Sequence, residues 1–125
     1  LVGAAGLQDF LQGAGKIVKL VDSNGDGVAE SVTDVATGLD GPFGIAFRGD
    51  TMYVADSESW GPDQPGWKKG IRIGSARDGS VKYFIEDMES TTQDHSGAES
   101  VGVDAEGNVY GGVVRRQMLE KHIKK

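Results

Sequence analysis

The sharpest chemical signal in the chain is Asp22-Ser23-Asn24-Gly25-Asp26-Gly27-Val28-Ala29-Glu30. It sets oxygen-bearing side chains at the first, third, fifth and ninth places of a loop, with glycine at the sixth. Carboxylate and amide oxygens are the hard donors that Ca²⁺ prefers, and glycine lets the chain turn sharply enough to aim them at one point. Asp22, Asn24, Asp26 and Glu30 are therefore the expected side-chain ligands, with Val28 offering its carbonyl. The twelfth place holds Thr33 where an EF-hand carries a bidentate glutamate, so no EF-hand is expected and Glu30 is the residue able to substitute in part. The competing reading is a solvated hairpin turn in which Asn and Asp serve turn chemistry alone.

A second group lies further along the chain. His95 and Glu99 precede the apolar segment Val101–Val103, and an imidazole beside a carboxylate can bind a metal or move a proton. The plain alternative is an exposed polar loop over residues 91–96. Trp60 and Trp67 flank the excursion Gly61-Pro62-Asp63-Gln64-Pro65-Gly66. Exposed there, they would stack on a sugar or a partner; folded back, they would form a lid.

These residues must be held by short strands. The chain has 125 residues, 38% hydrophobic and 26% charged, which suits one folded soluble domain or part of one. Twenty glycines against 3 prolines point to many turns, and the lack of cysteine removes disulfides, thiolate catalysis and Cys-bearing zinc sites. A net charge of −6 disfavours nucleic acid and anionic membrane, and no run approaches the ~18 apolar residues of a membrane span. Residues 1–14 read as an N-terminal arm or short helix, with Leu7, Phe10 and Leu11 at helical spacing. A start at Leu1 suits a processed product or an excerpt, with a lost signal segment as one origin.

From residue 15 to 125 the pattern is β. Ile17–Val21 and Ser31–Ala36 flank the Asn-Gly and Asp-Gly turn signals, and Phe43–Phe47 and Thr51–Ala55 flank Arg48-Gly49-Asp50. Ile71 and Ile73 alternate with polar neighbours, as do Val81, Tyr83 and Ile85 across Asp78-Gly79. Val101 and Val103 lead through Asp104–Asn108 into Val109–Gly111. The stretch from Gly41 to Asp56 matches that from Gly97 to Gly112, with a turn one residue longer in the second copy, and Gly15–Leu20 more weakly matches Lys69–Ile73. Such a repeat of hairpins predicts an all-β fold built from four-stranded antiparallel β-propeller blades.

Gly41-Pro-Phe-Gly-Ile-Ala-Phe47 with Met52-Tyr-Val-Ala-Asp-Ser57 resembles NHL-repeat propellers, a group that includes proteins similar to peptidyl-α-hydroxyglycine α-amidating lyase. Gly70–Val81 and Gly97–Gly111 resemble the C-terminal portion of bacterial members, and residues 15–47 also resemble sugar-dehydrogenase-like propellers. At roughly 40–50 residues per blade, residues 15–125 make about two and a half blades, short of a closed ring. The resemblance therefore implies either the missing blades of a longer chain or self-association, and an extracytoplasmic or secreted location. It carries the terminal Leu119–Ile123 stretch as an outer strand, although Met118, Leu119, His122 and Ile123 also suit a helix.

In a propeller the hairpin turns lie at one end and the links between hairpins at the other, around the channel mouth. Asp22–Glu30 then belongs to the turn end, where calcium would clamp structure. Phe43, Asp56, Ser57, Glu58, His95, Glu99 and Arg115 belong to the mouth, which makes Asp56, Arg115, Trp60 and Trp67 the ligand-binding candidates. The lyases hold catalytic zinc through three histidines, whereas this chain has only His95 and His122, so a second, transition-metal site would need other blades. Three functions follow as expectations. The first is a calcium-stabilised propeller module binding a small molecule, peptide or partner at the mouth. The others are a metal-dependent lyase or hydrolase of a completed ring, using His95 and Glu99, and a self-assembling structural β protein.

Overall fold

β-Branched and aromatic residues in short runs, broken by Gly, Asp and Asn, favour strands joined by tight turns. The computed structural model describes residues 2–3, 15–39, 42–59, 66–90 and 97–125. Its strands are β1 (Val2–Gly3), β2 (Gly15–Val21), β3 (Ser31–Leu39), β4 (Pro42–Arg48), β5 (Thr51–Asp56), β6 (Gly70–Ser75), β7 (Val81–Glu86), β8 (Ser100–Val103), β9 (Val109–Val113) and β10 (Met118–His122). No helix occurs among the described residues, and the fold is all-β. Within the N-terminal arm, Val2 and Gly3 pair with Val18 and Ile17; Leu7, Phe10 and Leu11 lie outside the described residues.

The strands form three antiparallel sheets: a first sheet β1-β2-β3, a central sheet β4-β5-β6-β7, and a third sheet β8-β9-β10. The central sheet is covered on both faces, which explains why Met52-Tyr53-Val54-Ala55 is one continuous apolar run. Successive side chains on a strand point to opposite faces. Met52 and Val54 pack with Ile17, Val35 and Ala36 of the first sheet, while Tyr53 and Ala55 pack with Ala98, Val109 and Val113 at the third.

The two copies of the sequence repeat have the same register. Ile45 pairs with Val54 and Phe47 with Met52 in the central sheet; Val101 pairs with Gly111 and Val103 with Val109 in the third. β4 and β8 meet almost backbone to backbone. A Cβ on Gly44 would stand 2.8 Å from Ser100 Cα and 2.9 Å from the Glu99 carbonyl oxygen, so glycine is what permits this approach.

β7 departs from the simple alternation of Val81, Tyr83 and Ile85. A register shift between Ile73 and Gly74 sets Val81 opposite Gly74, and a one-residue shift moves a side chain to the other face. Ile85 packs on the core, whereas Val81 and Tyr83 are exposed. The terminal stretch is strand β10, reached through a turn in which the Gln117 N–H donates to the Val114 carbonyl. Its helical spacing gives way to full pairing with β9 from Met118–Val113 to His122–Val109.

The sheets have two chemically different ends. The β4–β5, β6–β7 and β8–β9 turns gather at one: Arg48 donates to the Ala105 carbonyl at 2.7 Å, and Arg77 pairs with Asp50. At the other end, Asp56, Ser57, Lys69, Asp87 and Ser90 are buried together with the start of the third sheet, where Gly97 packs on Ser57.

Candidate functional site

The loop between β2 and β3 is closed at its base by the Glu30 N–H donating to the Val21 carbonyl, 2.9 Å. Inside it the carboxylates are aimed by backbone donors. Asp22 accepts from Gly25 N–H at 2.6 Å and Gly27 N–H at 2.8 Å, Asp26 accepts from Val28 N–H at 2.8 Å, and Glu30 accepts from Ser23 N–H at 2.7 Å. Asn24 Oδ1 is taken by the Asp26 N–H at 2.9 Å. One oxygen each from Asp22, Asp26 and Glu30 lies within 4.8 Å of the others. Oxygens bound to one Ca²⁺ at 2.3–2.6 Å are at most about 5 Å apart, so these three fit a shared ion.

The backbone donors hold Asp22 and Glu30 below the usual carboxylate range, which keeps both ionised at neutral pH. All three carboxylates are exposed, leaving room for water ligands. Thr33, at the twelfth place, already belongs to β3 and is paired with Lys19, so the loop ends at Glu30. Val28 is also exposed, at the rim of the loop.

The opposite end is a network of buried charges. Asp56, 2% exposed, accepts from Glu58 N–H at 3.1 Å, Ser59 N–H at 2.9 Å, the Ser59 hydroxyl, and Arg72 Nη1 at 2.6 Å. The Arg72 guanidinium is flanked by the Trp67 ring at 4.8 Å and the Phe84 ring at 4.9 Å, and donates to the Lys68 carbonyl at 3.0 Å. Trp67 thus rests on the central sheet with part of its ring exposed. Next to this group, Asp87 receives both Nη atoms of Arg116 at 2.9 and 2.7 Å, and Arg116 also donates to Glu120 at 2.7 Å. The Asp87 N–H donates to the Lys69 carbonyl at 3.0 Å, tying the strands β6 and β7 at their ends.

Burial pushes the Asp56 carboxyl up to about 6, against the pull of Ser59 and Arg72. Below its ordinary value of 3.8, Asp56 is protonated in both the folded and unfolded chain. Between 3.8 and about 6 the unfolded chain ionises first, so stability from this group is greatest at low pH and falls as pH rises. The full change is about 3 kcal/mol. Carboxyl NMR is expected to place the Asp56 midpoint near 6, and Asp56→Asn is expected to remove this pH-dependent contribution from denaturation curves. A midpoint below the ordinary aspartate value would show that Arg72 outweighs burial.

The structure distributes the other expected site residues as follows. Glu99 is half-buried at the start of β8, its N–H donating to the Gly112 carbonyl at 2.9 Å. Arg115 is exposed in the β9–β10 turn, and Phe43 is exposed at the start of β4. His95 and Trp60 lie outside the described residues. Sequence reasoning missed Arg72, Asp87 and Arg116 as an ion-pair system. The available signal was Arg72 between Ile71 and Ile73, because a charge inside a buried strand requires a partner.

Comparison of the chain with protein-family models, curated proteins and solved structures finds no match, so its functional reading stands on residues and geometry.

Proposed function

We propose that this chain is a propeller-type β module, stabilised by calcium at the 22–30 loop, that binds a ligand or partner at the opposite end of its sheets. The observation carrying the calcium reading is the convergence of Asp22, Asp26 and Glu30 within 4.8 Å. The propeller reading is supported by the four-stranded meander β4–β7, followed by a third sheet that repeats its register. Asp22, Asp26 and Glu30 would hold the ion, with Asn24 and the Val28 carbonyl as further donors. A bound divalent ion offsets the mutual repulsion of three carboxylates and ties the two ends of the loop together. Its role is structural because the loop joins β2 to β3, whereas the buried charges gather where β5 and β7 end and β6 begins.

Ligand binding is assigned to the end bearing Trp67, Arg115 and Glu99. Asp56 serves there by holding Arg72 under Trp67, since its own carboxylate is turned inward. An exposed aromatic ring stacked on a fixed guanidinium is a rigid platform for a sugar ring or peptide.

Calorimetric titration with Ca²⁺ tests the loop directly. The wild-type chain is expected to bind one ion, and Glu30→Gln or Asp26→Asn to weaken binding by about tenfold or more, each removing a charged ligand. At calcium well above Kd the melting temperature should rise by several degrees, and chelation should reverse the rise. Absence of binding heat together with an unchanged melting temperature would leave the loop as a turn. Loss of ligand by Trp67→Ala, with calcium binding retained, would support the mouth-end surface separately.

A further inference from the structure

Besides its carboxylates, the 22–30 loop holds an Asn-Gly pair. Asn24 and Asn108 are the two asparagines of the chain, and their surroundings are opposite. Asn24 and Gly25 are both exposed, and Gly25, with φ at +78°, has open space where a Cβ would stand. The side-chain amide of an asparagine is open to attack by the backbone nitrogen of the next residue. Glycine crowds that nitrogen least, because it has no side chain.

The loop prepares one partner of this attack and restrains the other. Asn24 Oδ1 accepts from the Asp26 N–H at 2.9 Å, which folds the side-chain amide back along the following peptide and polarises its carbonyl. The attacking nitrogen must give up its proton, and the Gly25 N–H is held by Asp22 Oδ1 at 2.6 Å. A nitrogen anion there would face a carboxylate. At such a spacing the repulsion of two like charges, even in water, reduces the anion about tenfold. Asn108 is closed to the same reaction. Its Nδ2 donates to Asp104 at 2.8 Å, its Oδ1 accepts from the Lys124 N–H at 3.2 Å, and the next residue, Val109, is buried and paired on both sides in β9.

We propose that Asn24 is a site of self-modification, converted to aspartate and isoaspartate through attack by the Gly25 nitrogen, with Asp22 setting the pace. Hydroxide removes the Gly25 amide proton, and the nitrogen bonds to Asn24 Cγ. The Cγ–Nδ2 bond then breaks, and Nδ2 takes a proton from water and leaves as ammonia, which closes a succinimide. Water opens that ring at Cγ to give aspartate, or at the main-chain carbonyl carbon to give isoaspartate. No reactant besides water is consumed. Either product adds a carboxylate to the loop that already gathers Asp22, Asp26 and Glu30, and isoaspartate also lengthens the backbone ahead of Gly25. The inference does not rest on calcium, and its test is run in chelator.

The full chain is kept at mildly alkaline pH in water enriched in heavy oxygen and mapped by mass spectrometry over weeks. The peptide bearing Asn24 should turn from amide to acid with incorporation of heavy oxygen, isoaspartate should appear beside aspartate, and Asn108 should stay intact. Asp22→Ala should speed the conversion about tenfold. Glu30→Ala is the control, because Glu30 braces the same loop through the Ser23 N–H at 2.7 Å without touching Gly25, and it should change the rate far less. A wild type whose Asn24 stays intact overturns the proposal, as does conversion of Asn108 at the same rate. Equal acceleration by the two variants overturns the role of Asp22, since loosening of the loop would then suffice. If Asp22→Ala loses its strand signal in circular dichroism, Asp22→Glu, which shifts the carboxylate away from the Gly25 nitrogen, is compared with the wild type, and an unchanged rate overturns that role.

Discussion

Arg116→Met is expected to destabilise the chain by about 3–5 kcal/mol, because it leaves the buried Asp87 carboxylate without the guanidinium that holds it. Asp87 is 8% exposed and its carboxylate faces both Nη atoms of Arg116, while Glu120 takes a further bond at 2.7 Å. Methionine fills much of the volume but provides no donor. The loss is a large part of the roughly 5–15 kcal/mol that stabilises a typical domain. Urea denaturation of the two proteins measures it directly. Arg77→Met is the matched control: Arg77 pairs with Asp50 on an exposed turn, and such a pair contributes about 0–1 kcal/mol. Equal effects from the two substitutions would show that Arg116 behaves as a surface charge.

The same pair has a signed pH dependence. Burial opposes the charged form of Asp87, but the Arg116 guanidinium and the Glu89 N–H outweigh it and hold the carboxyl below its ordinary 3.8. Its stabilising contribution is therefore present above that value and lost as the pH falls through the folded-state pKa. Asp56 runs the other way. Acid titration of the wild type thus opposes two buried carboxylates, and Asp87→Asn and Asp56→Asn separate them.

Gly70→Ala is expected to cost about 3 kcal/mol or more. Gly70 begins β6 with φ at +151°, a conformation that L side chains rarely adopt. Holding alanine there costs roughly 1–3 kcal/mol, and overpacking adds roughly 1–3 kcal/mol. The added methyl would overlap the Ile85 carbonyl oxygen and stand 2.8 and 2.9 Å from carbons of the Phe84 ring. The carbonyl cannot step aside freely, because Gly70 pairs with Glu86 and Ile71 with Ile85. Moving Phe84 would also disturb its contact with Arg72, and hence the Asp56 pair. A loss below about 1 kcal/mol would mean that β6 relaxes, because alanine in place of glycine at an unstrained position stabilises by roughly 0.4–1 kcal/mol.

Much of the architecture is legible along the chain. Asn24-Gly25-Asp26-Gly27, Asp78-Gly79 and Glu106-Gly107 mark connections between paired strands, and the repeat of residues 41–56 in 97–112 appears as two hairpins in common register. The acidic loop is legible as well, because its donors lie within one local turn and its own backbone N–H groups aim them. The partners of the buried charges are not. Arg72 meets Asp56 across 16 residues and Arg116 meets Asp87 across 29, and no local spacing announces either pair. The β7 alternation misleads for a related reason: the bulge beside Gly74 is a property of two paired strands, and neither strand shows it alone.

The strands, the turns between them and the convergence of oxygen donors in the 22–30 loop can be read along the chain, since each depends on neighbours a few residues apart. Which faces are covered and which charges are neutralised depends on segments far apart in the chain. Burying Tyr53, Ala55 and Ile71 required a second sheet to arrive against them, and burying Asp87 required Arg116 to approach from a distant strand. Such burial is stable only when distant segments meet in matching geometry; Leu119 holds the place of Ile71 in its own sheet and is 69% exposed.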